Sequence, residues 1–181
     1  MNIAKDRSLT QLAAQGDQDA FGELVQLHQS AVFNVAYRML GNQRDAEDAA
    51  QEAFIRAYKA FDNFDSDRPF RPWIKRIVTN LCLNRIKGHR PTLSLESGLP
   101  PPKEPNPGPE AQIAKRQRET EIRSAIISLN PRYRAVIELR HFQDMNYEEI
   151  AKTLSKPLST VKSDLFRARK MLAEKLKELR K

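Results

Sequence analysis

The chain has 181 residues, 31 Lys and Arg against 23 Asp and Glu, a formal charge of +8, and is 40% apolar and 30% charged. Such a composition suits one or two small globular domains, and its charged, aromatic-poor character favours helices over sheets. A lone Cys82 excludes an internal disulfide or a thiolate-rich zinc site. No run of about 18 uncharged apolar residues offers a membrane span, and the N-terminus lacks a signal peptide's apolar core. The chain is therefore expected to be cytoplasmic, without direct membrane insertion.

In chain order, residues 8–14 show a short helical pattern closed by Gly16, after which Asp17 or Asp19 can cap the next helix. Residues 20–40 place Phe21, Leu24, Val25, Val32, Phe33, Ala36, Met39 and Leu40 on a broad apolar stripe that stops at Gly41-Asn42. A third helix over residues 45–61 carries acidic residues in its first turn, where the helix dipole favours them. Ala49, Ala53, Phe54, Ala57 and Tyr58 read as inward-facing, leaving Asp48, Gln51, Glu52 and Arg56 outside. Through residue 67 there are six basic and eleven acidic residues.

The sign then reverses. Residues 68–90 contain seven basic residues and no acidic ones, interleaved with Phe70 and Trp73. Within this stretch Ile74, Ile77, Val78, Leu81 and Ile86 supply the buried stripe of a helix, while Lys75, Arg76, Asn80, Asn84 and Lys87 point elsewhere. The preceding loop, 64–72, has two prolines and reads as a rigid connection. Cations, rings and amides together suit a nucleic-acid single strand, whose unstacked bases lie on rings and bond to side-chain amides. The alternative, that Phe70 and Trp73 are simply core, stands beside it.

Seven of the chain's eleven prolines fall in residues 91–109. That density forbids a helix or a central strand and describes an extended tether, either a plain spacer or a partner-binding segment. Residues 110–129 return to helical pattern, with Ile113, Ile122, Ile126 and Leu129 as the stripe. Asn130-Pro131 then gives a cap followed by proline at the first helical position, opening a helix over 132–142.

Residues 147–172, YEEIAKTLSKPLSTVKSDLFRARKML, describe two helices meeting at a corner. Ile150, Ala151 and Leu154 share one face of the first, and Val161, Leu165 and Leu172 one face of the second. Pro157 forces a turn between them, and Ser159 or Thr160 can cap the second helix. The outer side of that helix carries Lys162, Ser163, Phe166, Arg167, Arg169 and Lys170, a mixture suited to phosphates, guanine edges and a thymine methyl. Residues 155–181 hold nine Lys and Arg against three Asp and Glu, so this tail carries +6 of the chain's net +8. The competing reading is an ordinary solvated surface helix. No strand-like alternation and no internal repeat is evident. His28, His89 and His141 lack ligand spacing, so no metal site is expected, and no cofactor. Neither a catalytic constellation nor a Gly-rich phosphate loop is evident, which speaks against an enzyme.

The arrangement resembles an extracytoplasmic-function (ECF, group IV) sigma factor of the sigma-70 family. Residues 20–40 resemble the first conserved helix of sigma domain two, and DAEDAAQEAFIRAY, 45–58, its polymerase-binding segment. FRPWIKRIVTNLCLNRIK, 70–87, resembles the promoter-reading and melting helix, and 129–172 resemble domain four. The resemblance implies an all-α chain of two small helical domains, region 2 over 1–90 and region 4 over 113–181, joined by a Pro-rich linker over 91–112.

It further implies that Asp48, Gln51, Glu52, Phe54 and Arg56 lie on the surface gripping the clamp coiled coil of the largest subunit of core RNA polymerase. The flap of the second subunit would be a further contact. Arg76, Asn80 and Asn84, with Trp73, would face the minus-ten element, and the loop from Phe64 to Arg68 would hold a flipped base. Lys162, Ser163, Phe166 and Arg167 would read the minus-thirty-five element. The linker would thread the active-site and RNA-exit region, and an anti-sigma factor would mask these faces.

Two positions depart from the family pattern: Ser155 where glycine is common at the corner, and Asp164 where a basic residue is frequent. An acid facing DNA there would repel phosphate, or accept from a cytosine amino group. The second reading of the chain is a stand-alone helix-turn-helix regulator with a ligand-sensing or dimerising N-terminal domain. An acidic docking helix beside a basic aromatic one argues against it.

Overall fold

The computed structural model describes residues 3–88 and 109–178 and divides the chain into two compact units, Met1–Thr92 and Leu93–Lys181. Among the described residues the secondary structure is entirely helical. None of these helices is long and apolar enough to cross a membrane. The expected tether lies outside the described residues as far as 108.

The first unit contains α1 (Ile3–Ala14), α2 (Gln18–Leu40), α3 (Gln43–Lys59) and α4 (Phe70–Gly88). Local chemistry fixes its boundaries. Asp17 accepts from the Ala20 N–H at 3.0 Å and starts α2. Gly41, at φ 88°, ends it in the left-handed conformation that only glycine adopts without strain, and donates to the Tyr37 carbonyl. Asn42 then caps α3, accepting from Asp45 N–H at 2.8 Å.

The stripe of α3 is almost all alanine: Ala46, Ala49, Ala53 and Ala57 are fully buried. So small a stripe suits a close approach of α3 to both α2 and α4, on which it packs, and Val32, Val35, Ala36 and Met39 of α2 and Ile74, Val78 and Leu81 of α4 are likewise buried. One end of the unit is closed by an aromatic cluster of Phe21, Phe61, Phe64, Phe70 and Trp73.

Several expectations are corrected in this unit. The third helix stops at Lys59, and Phe61 belongs to a separate 3-10 turn, Phe61–Asn63. Tyr58 is 50% exposed, though its ring makes a T-shaped contact with Phe21. Lys75 is buried rather than outward-facing, because its position on α4 falls next to Ile74 and Val78 on the packed side.

The second unit contains α5 (Pro109–Ile127), α6 (Pro131–Ile137), α7 (Tyr147–Leu154) and α8 (Leu158–Glu178). Ile126 and Leu129 of the α5 stripe are buried and Ile122 is 37% exposed; the Ile113 side chain lies outside the described residues. Asn130 caps α6, with Pro131 at its first position. The helix expected over 132–142 does not run through: α6 relaxes at Glu138–Phe142 into a π turn. After it Asp144 takes a positive φ of 52°, and the Met145 N–H returns to the Leu139 carbonyl.

A full capping box follows: Asn146 accepts from Glu149 N–H at 2.9 Å and Glu149 from Asn146 N–H at 2.7 Å. α8 begins at Leu158, directly after Pro157, so Ser159 and Thr160 lie within its first turn instead of capping it. Leu129, Val136, Ile137, Leu139, Met145, Ile150, Val161, Leu165 and Ala168 form one core, with Ala151 and Leu154 packed at its margin.

Candidate nucleic-acid interface

Three faces carry the expected site residues. On α3, Asp48, Gln51 and Arg56 are exposed and Glu52 half-buried. Phe54 is 8% exposed, facing inward as its spacing on α3 suggests, so its side chain is largely covered beneath this face. Its position one residue before the exposed Ile55 turns it toward the core. Glu52 is the electrostatic centre of the face. One carboxylate oxygen accepts from Arg56 of the same helix, and the other from Arg85 Nη2 of α4 at 2.7 Å. Arg85 also donates to the Asp45 carbonyl at 3.3 Å. The Arg85 hydrogen bond, opposed by burial and aided by Arg56, holds the Glu52 carboxyl below its ordinary range.

On α4, Trp73, Arg76, Asn80, Asn84 and Lys87 recur at three- and four-residue intervals and so share one side of the helix. Arg76, Asn84 and Lys87 are exposed, Trp73 and Asn80 half-buried. The two readings of the aromatics divide: Phe70 is core, fully buried, whereas Trp73 stays partly open. Phe64 lies against Trp73 with ring centroids 4.4 Å apart and planes at 33°, so the loop is seated on the helix through its first residue. Beyond it Asp65 gathers the loop: it accepts from Arg68 Nε at 3.0 Å and Asp67 N–H at 3.2 Å, and its carbonyl from Arg68 N–H at 2.9 Å. Arg68 is thus exposed but tethered.

On α8, Lys162, Ser163, Phe166 and Arg167 are all exposed, and Phe166 at 72% is the most open large apolar side chain among the described residues. Arg169 and Lys170 continue this surface. The corner that presents it is Ser155, at φ 51° and ψ 48°, a left-handed cap whose following Lys156 N–H returns to the Ala151 carbonyl at 2.9 Å. This is the geometry for which glycine is usual.

Asp164 corrects the expectation of an acid facing DNA. It is fully buried on the opposite side of α8, accepting from Arg132 at 2.5 Å and Lys156 Nζ at 3.1 Å. Burial raises its carboxyl pKa, but the hydrogen bonds from Arg132 and then Lys156 outweigh burial and hold it below the ordinary aspartate range. Asp164 therefore ties α6 and the corner to α8. Nearby, Arg169 Nε donates to His141 Nε2 at 3.3 Å; burial first, then Arg169 and Arg140, lower the His141 pKa.

Sequence reasoning missed Arg85, Arg132 and Lys156 as partners of acids, and buried His28. Only His28 left a local signal, since it falls four residues from Leu24 and four from Val32 on the buried stripe.

Residues 24–92 match sigma-70 region 2 and residues 119–172 match sigma-70 region 4. The chain is 37% identical over 174 residues to the ECF RNA polymerase sigma factor SigW of Bacillus subtilis, covering 91% of this chain and 93% of that one. It is 35% identical over 185 residues to the ECF RNA polymerase sigma-E factor of Escherichia coli K12, covering 96% and 95%. The solved structure of CnrH in complex with the cytosolic domain of CnrY aligns with a TM-score of 0.70 at 30% identity, over 96% of this chain and 98% of that one. Two matching regions in order, and relatives alike over nearly the whole length, leave one conclusion: this chain belongs to the ECF sigma factors of the sigma-70 family, non-enzymatic subunits of RNA polymerase that act in transcription initiation.

Proposed function

We propose that the three faces divide the work of initiation between them. The exposed side of α3, Asp48, Gln51, Glu52 and Arg56 with Phe54 beneath, docks on the clamp coiled coil of the largest polymerase subunit. Arg76, Asn80, Asn84 and Trp73 of α4 read the minus-ten element, and the loop from Phe64 to Arg68 receives a base flipped from its non-template strand. Lys162, Ser163, Phe166 and Arg167 of α8 read the minus-thirty-five element in the major groove, and this domain also meets the flap of the second subunit. The domains are taken as 1–90 and 113–181, with 91–112 threading the active-site and RNA-exit region, and the protein acts in the cytoplasm.

The observation that carries this reading is the segregation of chemistry on one small bundle. An acid-centred surface on α3 and a cation, amide and indole surface on α4 are held together by the Glu52–Arg85 pair. A ligand-sensing domain has no need of both. Each reader alone is weak, since a bidentate base contact discriminates by only about 1 to 3 kcal/mol. Tethering two readers and docking them on polymerase raises effective concentration without new contacts. Capturing a displaced base offsets the few kcal/mol of unstacking.

An anti-sigma protein would act by covering the α3 and α8 faces; the similar CnrH is solved in complex with the cytosolic domain of CnrY. Reconstitution with core polymerase on a random promoter library tests the whole proposal. Starts that appear only when this chain is added are expected, and none appearing would refute it.

A further inference from the structure

α1 precedes the stretch that matches region 2, which begins at residue 24, yet it packs on α2, α4 and the Phe61–Asn63 turn. Its buried side is half polar: Asp6 and Thr10 lie in line with Leu9 and Ala13. Thr10 is satisfied by donating to the Asp6 carbonyl at 2.7 Å. The Asp6 carboxylate lies 2.5 Å from His28 Nε2 of α2, with Asp6 6% and His28 1% exposed. Stability alone would not demand this pair, since an apolar pair of similar volume generally serves a helix interface as well. What it adds is register, because only one placement of α1 along α2 brings the two groups together.

That register matters at the loop. The His28 ring lies 5.3 Å from Phe70, and Phe70 in turn contacts Phe61, Phe64 and Trp73 at 5.9, 6.3 and 5.8 Å. The next residue of α1, Arg7, is exposed and pairs with Asp67 at 3.5 Å. Asp6 thus reaches the 64–69 loop indirectly, through His28 and Phe70 to Phe64, while its neighbour Arg7 pairs directly with the loop's Asp67.

We propose that Asp6 and His28 are positioning residues for promoter opening. By fixing α1 on α2 they hold Phe70, and with it Phe64 and Trp73, in the arrangement that receives an unstacked base. The inference rests on the proposed role of the loop, and it assigns α1 a part in opening without contact to DNA.

The test uses the full chain with core polymerase on a duplex promoter, comparing closed-complex affinity, opening rate by permanganate reactivity, and thermal unfolding midpoint. The double variant Asp6→Leu/His28→Leu is expected to keep affinity and midpoint while opening about tenfold more slowly, a coupling of ordinary size. The pair Asp6→Asn/His28→Gln, which can still hydrogen-bond, should recover most of the rate. Arg7→Ala, on the surface, should slow opening about threefold with no change in midpoint.

An unchanged opening rate in the leucine pair, or a rate that falls only in step with affinity and midpoint, overturns the proposal. Should the leucine pair not fold, Arg7→Ala decides: normal opening overturns it. Arg68→Ala, an exposed change in the loop itself measured in parallel, separates the two ideas. If it is defective while the α1 variants open normally, the positioning role alone falls; if all open normally, the loop assignment falls with it.

Discussion

Arg85 Nη2 lies 2.7 Å from Glu52 Oε2, so α3, the proposed polymerase-docking helix, and α4, the proposed promoter-facing helix, share one ion pair. Both side chains keep about a third of their surface open, and pairs of that kind contribute little stability, roughly 0.5 kcal/mol. The role of the pair is geometric: it fixes where the Glu52 carboxylate sits on the α3 face.

Charge reversal at Asp48 and Glu52 should therefore abolish association with core polymerase while the helical circular dichroism and unfolding midpoint stay close to the parent. Asp48→Lys alone is the cleaner probe, since Asp48 is exposed whereas Glu52→Lys also breaks the Arg85 contact. Co-purification of the double variant with core enzyme would place the docking face elsewhere.

Replacing Lys162 and Arg167 by Ala should weaken binding to the upstream element. Both are exposed on α8 and outside the ion-pair network around Asp164. If both neutralise phosphate, the slope of log affinity against log salt should shrink by about 2, close to 0.9 for each lost contact. A base-reading Arg167 would show instead as relaxed sequence preference at one position with a smaller change of slope. Unchanged promoter output would count against the recognition face.

The pH dependence of the second unit should carry the mark of Asp164. Its carboxyl is held below the ordinary value by Arg132 and Lys156, so its contribution is complete above the unfolded-state value of about 4 and is lost as pH falls from there through the folded value. Asp164→Asn should flatten the stability profile in that acid window. At neutral pH it should cost about 2 kcal/mol, the scale of lost hydrogen bonds to a charged group. Chemical denaturation at pH 7 and pH 3 measures both; a profile parallel to the parent's would rule out the tie.

What could be read in advance followed the reach of each interaction. Asp17, Gly41, Asn42, Asn130 and the Pro157 corner act within four residues, and their signals were visible in order. The exposed row Lys162, Ser163, Phe166 and Arg167 was equally legible, because helical spacing alone separates it from Val161 and Leu165.

Asp164 was not, since its burial depends on Arg132, 32 residues earlier, being folded beside it. The same holds for Glu52 with Arg85 and Asp6 with His28, separated by 33 and 22 residues. Tyr58 and Lys75 stand at the margins of their helices' buried stripes, beside Ala57 and Ile74, where spacing alone does not decide the side.

Asn80→Ala should separate binding from opening. Asn80 is half-buried on the side of α4 shared with Arg76 and Asn84, and an amide there can bond to an unstacked base but adds no charge to hold duplex phosphates. Closed-complex affinity should remain near the parent's while permanganate reactivity at the melted bases develops more slowly. Equal loss of both would contradict the assignment.

Ser155→Gly should stabilise the second unit. Ser155 sits at φ 51°, ψ 48°, where a side chain meets the following carbonyl at a penalty of about 1 to 2 kcal/mol. Glycine removes that strain but gives the unfolded chain more freedom, which offsets about 0.5 to 1 kcal/mol of the gain. The balance is a rise of roughly 0.5 to 1 kcal/mol in unfolding free energy, readable as a higher midpoint in thermal or urea denaturation. Because Ser155 is exposed and lies before Pro157, the α8 face should keep its orientation and upstream-element affinity should not change. A fall in the midpoint would mean that the serine hydroxyl stabilises the corner by more than the strain it carries.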